Sequence, residues 1–394
     1  MQAMKFNGNG VEYFKIWLVN ILLTIVTLTL YYPWAKVRNR RYFYGNTELD
    51  GQNFEYHATG KQLFFGYLIA LAALIIYLVV QQVSPTGGII VFLVLFLAIP
   101  WIIWRSLIFN MRVSSYSNVR FGFQGTLGTA YFNFFVLPLL MLIAIYGVPV
   151  TTAILSAGSG GEASFVGSIV VVAFLVGLGL AVYLYGVLQQ RNNSYVINGS
   201  RFGQGKFMSV LQAGPFVKIL LKTIVLFVIC FFLLLVLMAF ISMAMGSEVV
   251  ALSAALNDPE AMEDIFTSGL FVSIIAAVYI GFILLSIGVF AYLQARQRRY
   301  IFANTTLDGK FKLASTMGAR SLAWISISNL LVIMVTLGLA IPWASVRMAR
   351  FVAQNTQVDT SEGFSNYVSQ RQSEQSSLGD QLGDAFDIDV GIGL

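Results

Sequence analysis

PWAKVRNRRYFYGNTELDG, Pro33–Gly51, decides the fold, because the chain repeats it. PWASVRMARFVAQNTQVD, Pro342–Asp359, matches it offset for offset, and ARQRRYIFANTTLDG, Ala295–Gly309, matches its later part. Arg38 and Arg347 stand five residues after their prolines, Arg41 and Arg350 eight after, and Asn46-Thr47 and Asn355-Thr356 begin thirteen after. Upstream, Asn20 and Asn329 lie thirteen residues before the prolines, and Thr27 and Thr336 six before. In the Ala295–Gly309 copy Arg296, Arg299, Asn304, Thr305, Asp308 and Gly309 hold the same offsets. Weaker copies begin at Pro100-Trp101, with Arg105 five residues on, and around Arg191–Phe207. Five cassettes in one chain imply internal duplication of a single structural unit.

The unit has a plain physical reading. Arginines at i and i+3 share one face of a helix leaving the membrane, where their long stems reach phosphate headgroups. Arg38 with Arg41, and Arg296 with Arg299, are therefore candidate headgroup or anion contacts, with Asp50 and Asp308 the nearest acidic partners in sequence. Trp34, Tyr42, Tyr44, Tyr300 and Trp343 fit an aromatic belt at the interface. Asn and Gly then end the helix and make a turn. Alternating stretches such as Asn53-Phe54-Glu55-Tyr56 suggest short strands. Each basic connection reads as helix end, tight turn and short β-hairpin, and several hairpins would pack into a small β layer under the membrane.

Composition puts the rest of the chain in lipid. Of 394 residues 57% are hydrophobic and only 11% charged, against roughly 25% charged in soluble proteins. Eight segments approach the ~20 apolar residues that cross a bilayer: Phe14–Trp34, Gln62–Gln82, Gly87–Trp104, Tyr131–Leu155, Ser164–Gln189, Phe216–Met245, Gly269–Leu293 and Ser321–Val346. The expected fold is an all-α polytopic transmembrane bundle of about eight spans carrying hairpin-like cytoplasmic loops. Its parts are a short tail at 1–13, a transmembrane domain at 14–360 and a disordered acidic tail at 361–394. The connections near 35–61, 105–130, 190–222 and 295–320 hold 19 of the 24 basic residues, whereas 246–268 holds five acids and no base. Positive-inside topology makes the basic connections cytoplasmic. Alternation through eight spans then places both termini outside. Arg347 and Arg350 would be misplaced by that count, which keeps open re-entrant terminal segments with both ends inside. An acidic surface helix at Leu256–Phe266 and kinks at Pro138 and Pro149 are also expected.

Function is less legible. No Asp, Glu, Lys, Arg or His stands mid-span in these eight segments, which argues against a proton relay. One Cys (Cys230) and one His (His57) offer no disulfide framework or metal cluster, and no nucleotide or hydrolase motif appears, so no catalytic residue, cofactor or metal is expected. The basic face needs no nucleic acid to explain it, since anionic lipid headgroups suffice. The candidate cavity-lining residues are Asn20, Thr27, Asn329 and Thr336, matched polar groups in the two terminal segments; the alternative use of such groups is hydrogen bonding between helices. Two readings follow: a non-enzymatic protein that binds or moves a small or lipid-like molecule, or an adaptor that organises partners through its hairpins or acidic tail. A homo-oligomer stays open.

PWAKVRNRRYFYGNTELDG following WLVNILLTIVTLTLYY strongly resembles the YjgN family of bacterial inner-membrane proteins, a domain family of unknown function. The resemblance runs from about Phe6 to Asp359 and leaves the last residues outside it. It implies a multi-pass protein of the bacterial inner membrane and brings no catalytic residue with it.

Overall fold

The computed structural model of the chain describes residues 1–158, 163–244, 269–360 and 363–385. They divide into two compact units: Met1–Val217 with Arg298–Met317 and Ile333–Leu394, and Lys218–Gln297 with Gly318–Val332. Strands β1 (Gln2–Ala3) and β2 (Lys5–Phe6) lead into α1 (Gly10–Val26) and α2 (Tyr32–Gly45), then the hairpin β3 (Thr47–Leu49)/β4 (Gln52–Tyr56). Helices α3 (Gly60–Val83) and α4 (Pro85–Arg112) precede β5 (Ser114–Tyr116)/β6 (Val119–Phe123). A long helix α5 (Leu127–Ser156) and α6 (Ala163–Gly199) precede β7 (Ser200–Phe202)/β8 (Gly205–Ser209). Then come α7 (Ala213–Ala244), α8 (Gly269–Ala303), β9 (Thr305–Leu307)/β10 (Phe311–Ser315), α9 (Ala319–Val335), α10 (Ile341–Gln354), β11 (Thr356–Val358) and α11 (Phe364–Ala385).

The eleven strands form one sheet, ordered β1-β11-β10-β9-β8-β7-β6-β5-β4-β3-β2. The two ends of that order are adjacent in the chain. Gln2 and Ala3 pair with Val358 and Gln357, Lys5 and Phe6 pair with Glu48 and Thr47, and the Met4 amide donates to the Thr356 carbonyl at 2.9 Å. Five N-terminal residues therefore bridge first and last strands and close the sheet into a ring, which removes its edges. The hairpin turns explain the sequence signals. Asp50-Gly51 and Ser117-Asn118 are two-residue loops with positive φ at both positions, the backbone that matches strand twist and that Asn, Asp and Gly tolerate.

The ring has five matched sectors. Thr47, Ser114, Ser200, Thr305 and Thr356 open the first strand of each, and an arginine (Arg38, Arg105, Arg191, Arg296, Arg347) stands nine residues before each. The fifth sector is split across the chain: β11 from the last cassette is completed by the N-terminal strand and α1. Trp343 of that cassette packs 5.0 Å from Phe14, as Trp34 packs 5.0 Å from Phe64.

Six described helices are long and apolar enough to cross a membrane: Gly60–Val83, Pro85–Arg112, Leu127–Ser156, Val166–Gly199, Ala213–Phe240 and Ala276–Ala303. The first and last of the eight expected spans are each broken instead. After Thr27, Leu28 and Thr29 adopt φ of 48° and 73°, and after Thr336, Leu337 and Gly338 adopt 49° and 91°. The chain leaves the ring in α1 and returns to it in α2, the arrangement of a re-entrant hairpin rather than a single straight helix. The expectation of both termini outside meets one finding against it: β1, β2 and β11 lie in the same ring as the basic hairpins. Arg347 and Arg350 then fit the positive-inside rule. A second correction concerns the tail, because Phe364–Ala385 is helical and its Phe364, Tyr367 and Val368 are buried. The acidic stretch 246–268 and its expected helix lie outside the described residues. In α5, π-helical turns at Phe132–Val136 and Ile143–Gly147 each end just before the residue preceding Pro138 or Pro149. The wider turn absorbs the hydrogen bond that proline cannot donate.

The second unit is simpler. Within it α7 and α8 pack through Phe227 against Phe282 at 6.4 Å. An apolar cavity of about 480 Å³ lies between them, lined by Leu226, Cys230, Leu233 and Gly281 among others.

Candidate functional site

The inside of the ring holds two stacked layers. Toward the hairpin tips, Leu49, Tyr116, Phe202, Leu307 and Val358, one from each sector, are buried in a single cluster with Val119 and Phe311. Across the sector junctions Phe54 pairs with Tyr116, Phe121 with Phe202, Phe207 with Leu307 and Leu313 with Val358. Met4 packs on the same cluster for the split sector. Burial and the nearby Asp50 and Glu48 carboxylates push the Tyr116 phenol up to about 12, so it stays neutral and donates to the Leu49 carbonyl at 2.7 Å.

Above this layer, where the helices enter, lies a cavity of about 370 Å³. Phe54, Phe121, Phe207 and Leu313 wall it from the strands, and Tyr44, Met111, Ile197 and Phe302 from the helix ends. Its Ser and Thr hydroxyls are bonded within their own helices. Ser114 donates to the Asn110 carbonyl at 2.8 Å, Ser200 to Val196 at 2.7 Å and Thr305 to Ile301 at 2.7 Å, and Thr47 and Thr356 do the same in the remaining sectors at 2.8 and 2.7 Å. These are bonds to the carbonyl four residues back, which satisfy the hydroxyl within its own helix. The chamber therefore offers shape and apolar surface, and few hydrogen bonds, to whatever occupies it.

The tip side is stoppered by α11. Phe364 and Tyr367 pack on Phe311 at 5.2 and 5.1 Å. Tyr367 donates to Asp308 Oδ2 at 2.6 Å and Arg371 donates to the same oxygen at 3.0 Å, while the Lys206 amide donates to Asp308 Oδ1 at 2.6 Å. Burial alone would raise the Asp308 pKa, but the Lys206 amide, the Tyr367 hydroxyl and the Arg371 guanidinium outweigh it and hold the carboxyl below its ordinary value.

The residues singled out from sequence fall into distinct places. Asn20, 4% exposed, lines a separate cavity of about 390 Å³ between α1 and α2. Its amide donates to Asn39 Oδ1 at 2.9 Å and it accepts from Arg38 at 3.4 Å. Asn329 is half-buried on α9. Thr27 and Thr336 cap the re-entrant turns: each hydroxyl accepts an amide, from Tyr31 at 2.9 Å and from Ala340 at 3.0 Å. Arg41 and Arg299 do not reach Asp50 or Asp308. They donate to the carbonyls of Ala58 at 2.8 Å and Met317 at 3.3 Å, and Arg350 donates to Gly8 at 3.1 Å. Each of these carbonyls lies two residues before the next helix, so this arginine ties a helix to its own hairpin's exit. Arg296 is exposed and lies over the Tyr292 ring at 5.4 Å. The chamber residues were not singled out; the apolar residues of the second strands, Phe54, Phe121, Phe207 and Leu313, were the available signal.

One arrangement invites a chemical reading. His57 Nε2 lies 2.7 Å from Ser115 Oγ and 3.3 Å from Glu55 Oε2. Both partners share one ring nitrogen, so the carboxylate does not orient the imidazole from its far side as a Ser-His-acid triad requires.

The chain is similar to the inner membrane protein YjgN of Salmonella typhimurium, with 31% identity over 90% of this chain and 88% of the relative. It is also similar to the proteins of the same name from Escherichia coli O157:H7 and strain K12, at 28% and 27% identity, each over 89% of this chain and 87% of the relative. No solved structure matches it. With these relatives and its apolar helices it is a multi-pass protein of the inner membrane. A family model covers residues 1–385, and the chain belongs to that family, the bacterial proteins of unknown function designated DUF898.

Proposed function

We propose that this protein binds, and moves without chemical change, a lipid-like molecule whose apolar chain enters the chamber inside the strand ring. The observation that carries this reading is the chamber's dry wall: aromatic and aliphatic side chains around about 370 Å³, with its Ser and Thr hydroxyls bonded back to their own helices. A polar solute or ion entering there would lose its hydration without replacement. An acyl chain loses only water, and at about 30 Å³ for each methylene-sized unit the chamber takes roughly a dozen carbons. The volume is in the ordinary range for a small-molecule site. The adaptor reading has less support, because the closed ring leaves no unpaired strand edge among the described residues and the tail spends its apolar side chains on its own ring.

The test is photolabelling of the purified full chain with a diazirine-bearing fatty acid. Labelled peptides should map to 110–123 and 196–209. Filling the chamber with Phe121→Trp and Leu313→Phe should abolish that labelling without loss of folded protein. Labelling confined to the outer faces of the spans, and unchanged by the filling variants, would sink the proposal.

A further inference from the structure

We propose that the re-entrant hairpin α1/α2 carries a second site, built for the phosphate group of an anionic lipid and centred on Lys36 and Arg40. The cavity of about 390 Å³ between these helices is lined by Trp17, Asn20 and Thr24 from α1 and by Tyr32, Lys36 and Arg40 from α2. Lys36 and Arg40 are one helical turn apart and share a face. Lys36 is half-buried. Its ammonium makes no hydrogen bond or ion pair with any described residue; the Tyr32 ring lies 6.0 Å away. Arg40 bonds only neutral acceptors, the Tyr56 hydroxyl at 2.9 Å and Asn110 Oδ1. No carboxylate lines this cavity.

Burial makes that imbalance meaningful. Lys36 lies nine residues before Gly45, the last residue of α2, which at 1.5 Å per residue is about 14 Å above the ring. A half-buried charge with no carboxylate beside it is costly unless an anion meets it. Asn39 stands beside the cations with its Oδ1 accepting from Asn20 and its own amide nitrogen a neutral donor on this cavity's lining, and Trp17, Ile21 and Ile25 continue the cavity as apolar wall. Cations backed by a neutral donor at one end and apolar surface at the other suit a phosphate with an attached acyl chain. The duplicate hairpin supplies an internal control. Ser345 and Ala349 stand where Lys36 and Arg40 stand in the first copy, and the Ser345 hydroxyl is bonded to the Ile341 carbonyl at 2.8 Å. The cations are therefore no requirement of the re-entrant fold. This site shares no lining residue with the chamber and does not depend on the reading given to it.

The experiment uses the full chain in nanodiscs of phosphatidylcholine containing a minor fraction of phosphatidylglycerol, with retained lipid measured by native mass spectrometry. Phosphatidylglycerol should be retained over phosphatidylcholine. Lys36→Gln should lower that retention by about tenfold, the loss of one charge-assisted contact, and Lys36→Arg should restore it. Placing a cation in the duplicate hairpin, Ser345→Lys, should leave retention at the first site unchanged. Millimolar inorganic phosphate separates the two sources of the group: displacement of the lipid marks a site for phosphate itself, and no displacement marks a lipid site. Equal retention of both lipids, or undiminished retention in a folded Lys36→Gln protein, overturns the proposal.

Discussion

The docking of α11 on the ring can be perturbed at one side chain. Tyr367 is 9% exposed, packs against the Phe311 ring and donates to Asp308 at 2.6 Å. Truncating a buried aromatic ring to Ala costs about 3–5 kcal/mol. Because α11 lies at the periphery and can relax, the lower end applies, and about 3 kcal/mol shifts the docking equilibrium by roughly a hundredfold. Tyr367→Phe removes only the hydroxyl. Asp308 keeps the Arg371 and Lys206 donors, so the loss should be about 1–1.5 kcal/mol, or roughly tenfold. The assay is thiol accessibility. With Cys230→Ala removing the native thiol, Val119→Cys places a new one in the tip layer that α11 covers, where Val119 is 0% exposed. A membrane-impermeant maleimide added from the hairpin side should label it slowly, at a rate proportional to the undocked fraction when docking is fast relative to labelling. The rate should rise about tenfold with Tyr367→Phe and about a hundredfold with Tyr367→Ala. A rate identical in the native and Tyr367→Ala chains would falsify the view of α11 as a stopper. Equal effects of Phe and Ala would mean that the phenol's hydrogen bond, and not ring burial, holds it.

Two further outcomes are expected. A methyl group added at Gly10 would overlap the Trp343 indole, and one at Gly60 the Trp34 indole; each Gly→Ala change should cost about 1–3 kcal/mol by overpacking, measured as thermal stability. A neutral Gly10→Ala beside a destabilising Gly60→Ala would contradict the claim that the chain ends complete a fifth sector. The second concerns pH. The Asp308 pKa is depressed on docking, so its contribution is present above the ordinary carboxylate value of about 4 and is lost as pH falls through the lower, docked value. The Tyr367 phenol, pushed up to about 12 by burial and by Asp308, acts oppositely: its contribution is complete below about pH 10 and is lost as pH rises toward 12. Labelling of Val119→Cys should therefore be flat from pH 5 to 9 after correction for maleimide reactivity. A step near pH 6 or 7 would point to some other group as the latch.

What the sequence disclosed and what it hid have physical causes. The hairpins were legible because Asn46, Asp50 and Gly51 sit where a helix stop and a positive-φ turn need them, and because Asn355 and Asp308-Gly309 repeat the pattern. Ring closure was not, because the strand that completes the last cassette is Gln2–Phe6, more than 300 residues away and ahead of any proline marker. The first span looked long enough by counting apolar residues; Leu28 and Thr29 turn it without a glycine to announce the turn. The misfit of Arg347 and Arg350 with an outside terminus was the one visible trace of re-entry. The tail's polar composition suggested disorder, yet Phe364, Tyr367 and Val368 stand at i, i+3 and i+4, the spacing of a buried helical stripe.

That contrast also bears on where function resides. The arginine nine residues before each strand, the Ser or Thr that opens it and the apolar residue two further on occur in all five sectors. A feature needed by every sector is explained by the ring itself: packing a helix against its neighbours, ending a helix, filling the tip layer. Departures from the fivefold pattern have no such explanation. Lys36 occurs in one sector, the π-turns occur in the helix after the second hairpin, and Asp308 alone among the turn residues holds α11. A duplicated scaffold is free to diverge only where its copies need not agree, so these unshared residues, more than the conspicuous repeated arginines, are where the specific activity of this protein is to be sought.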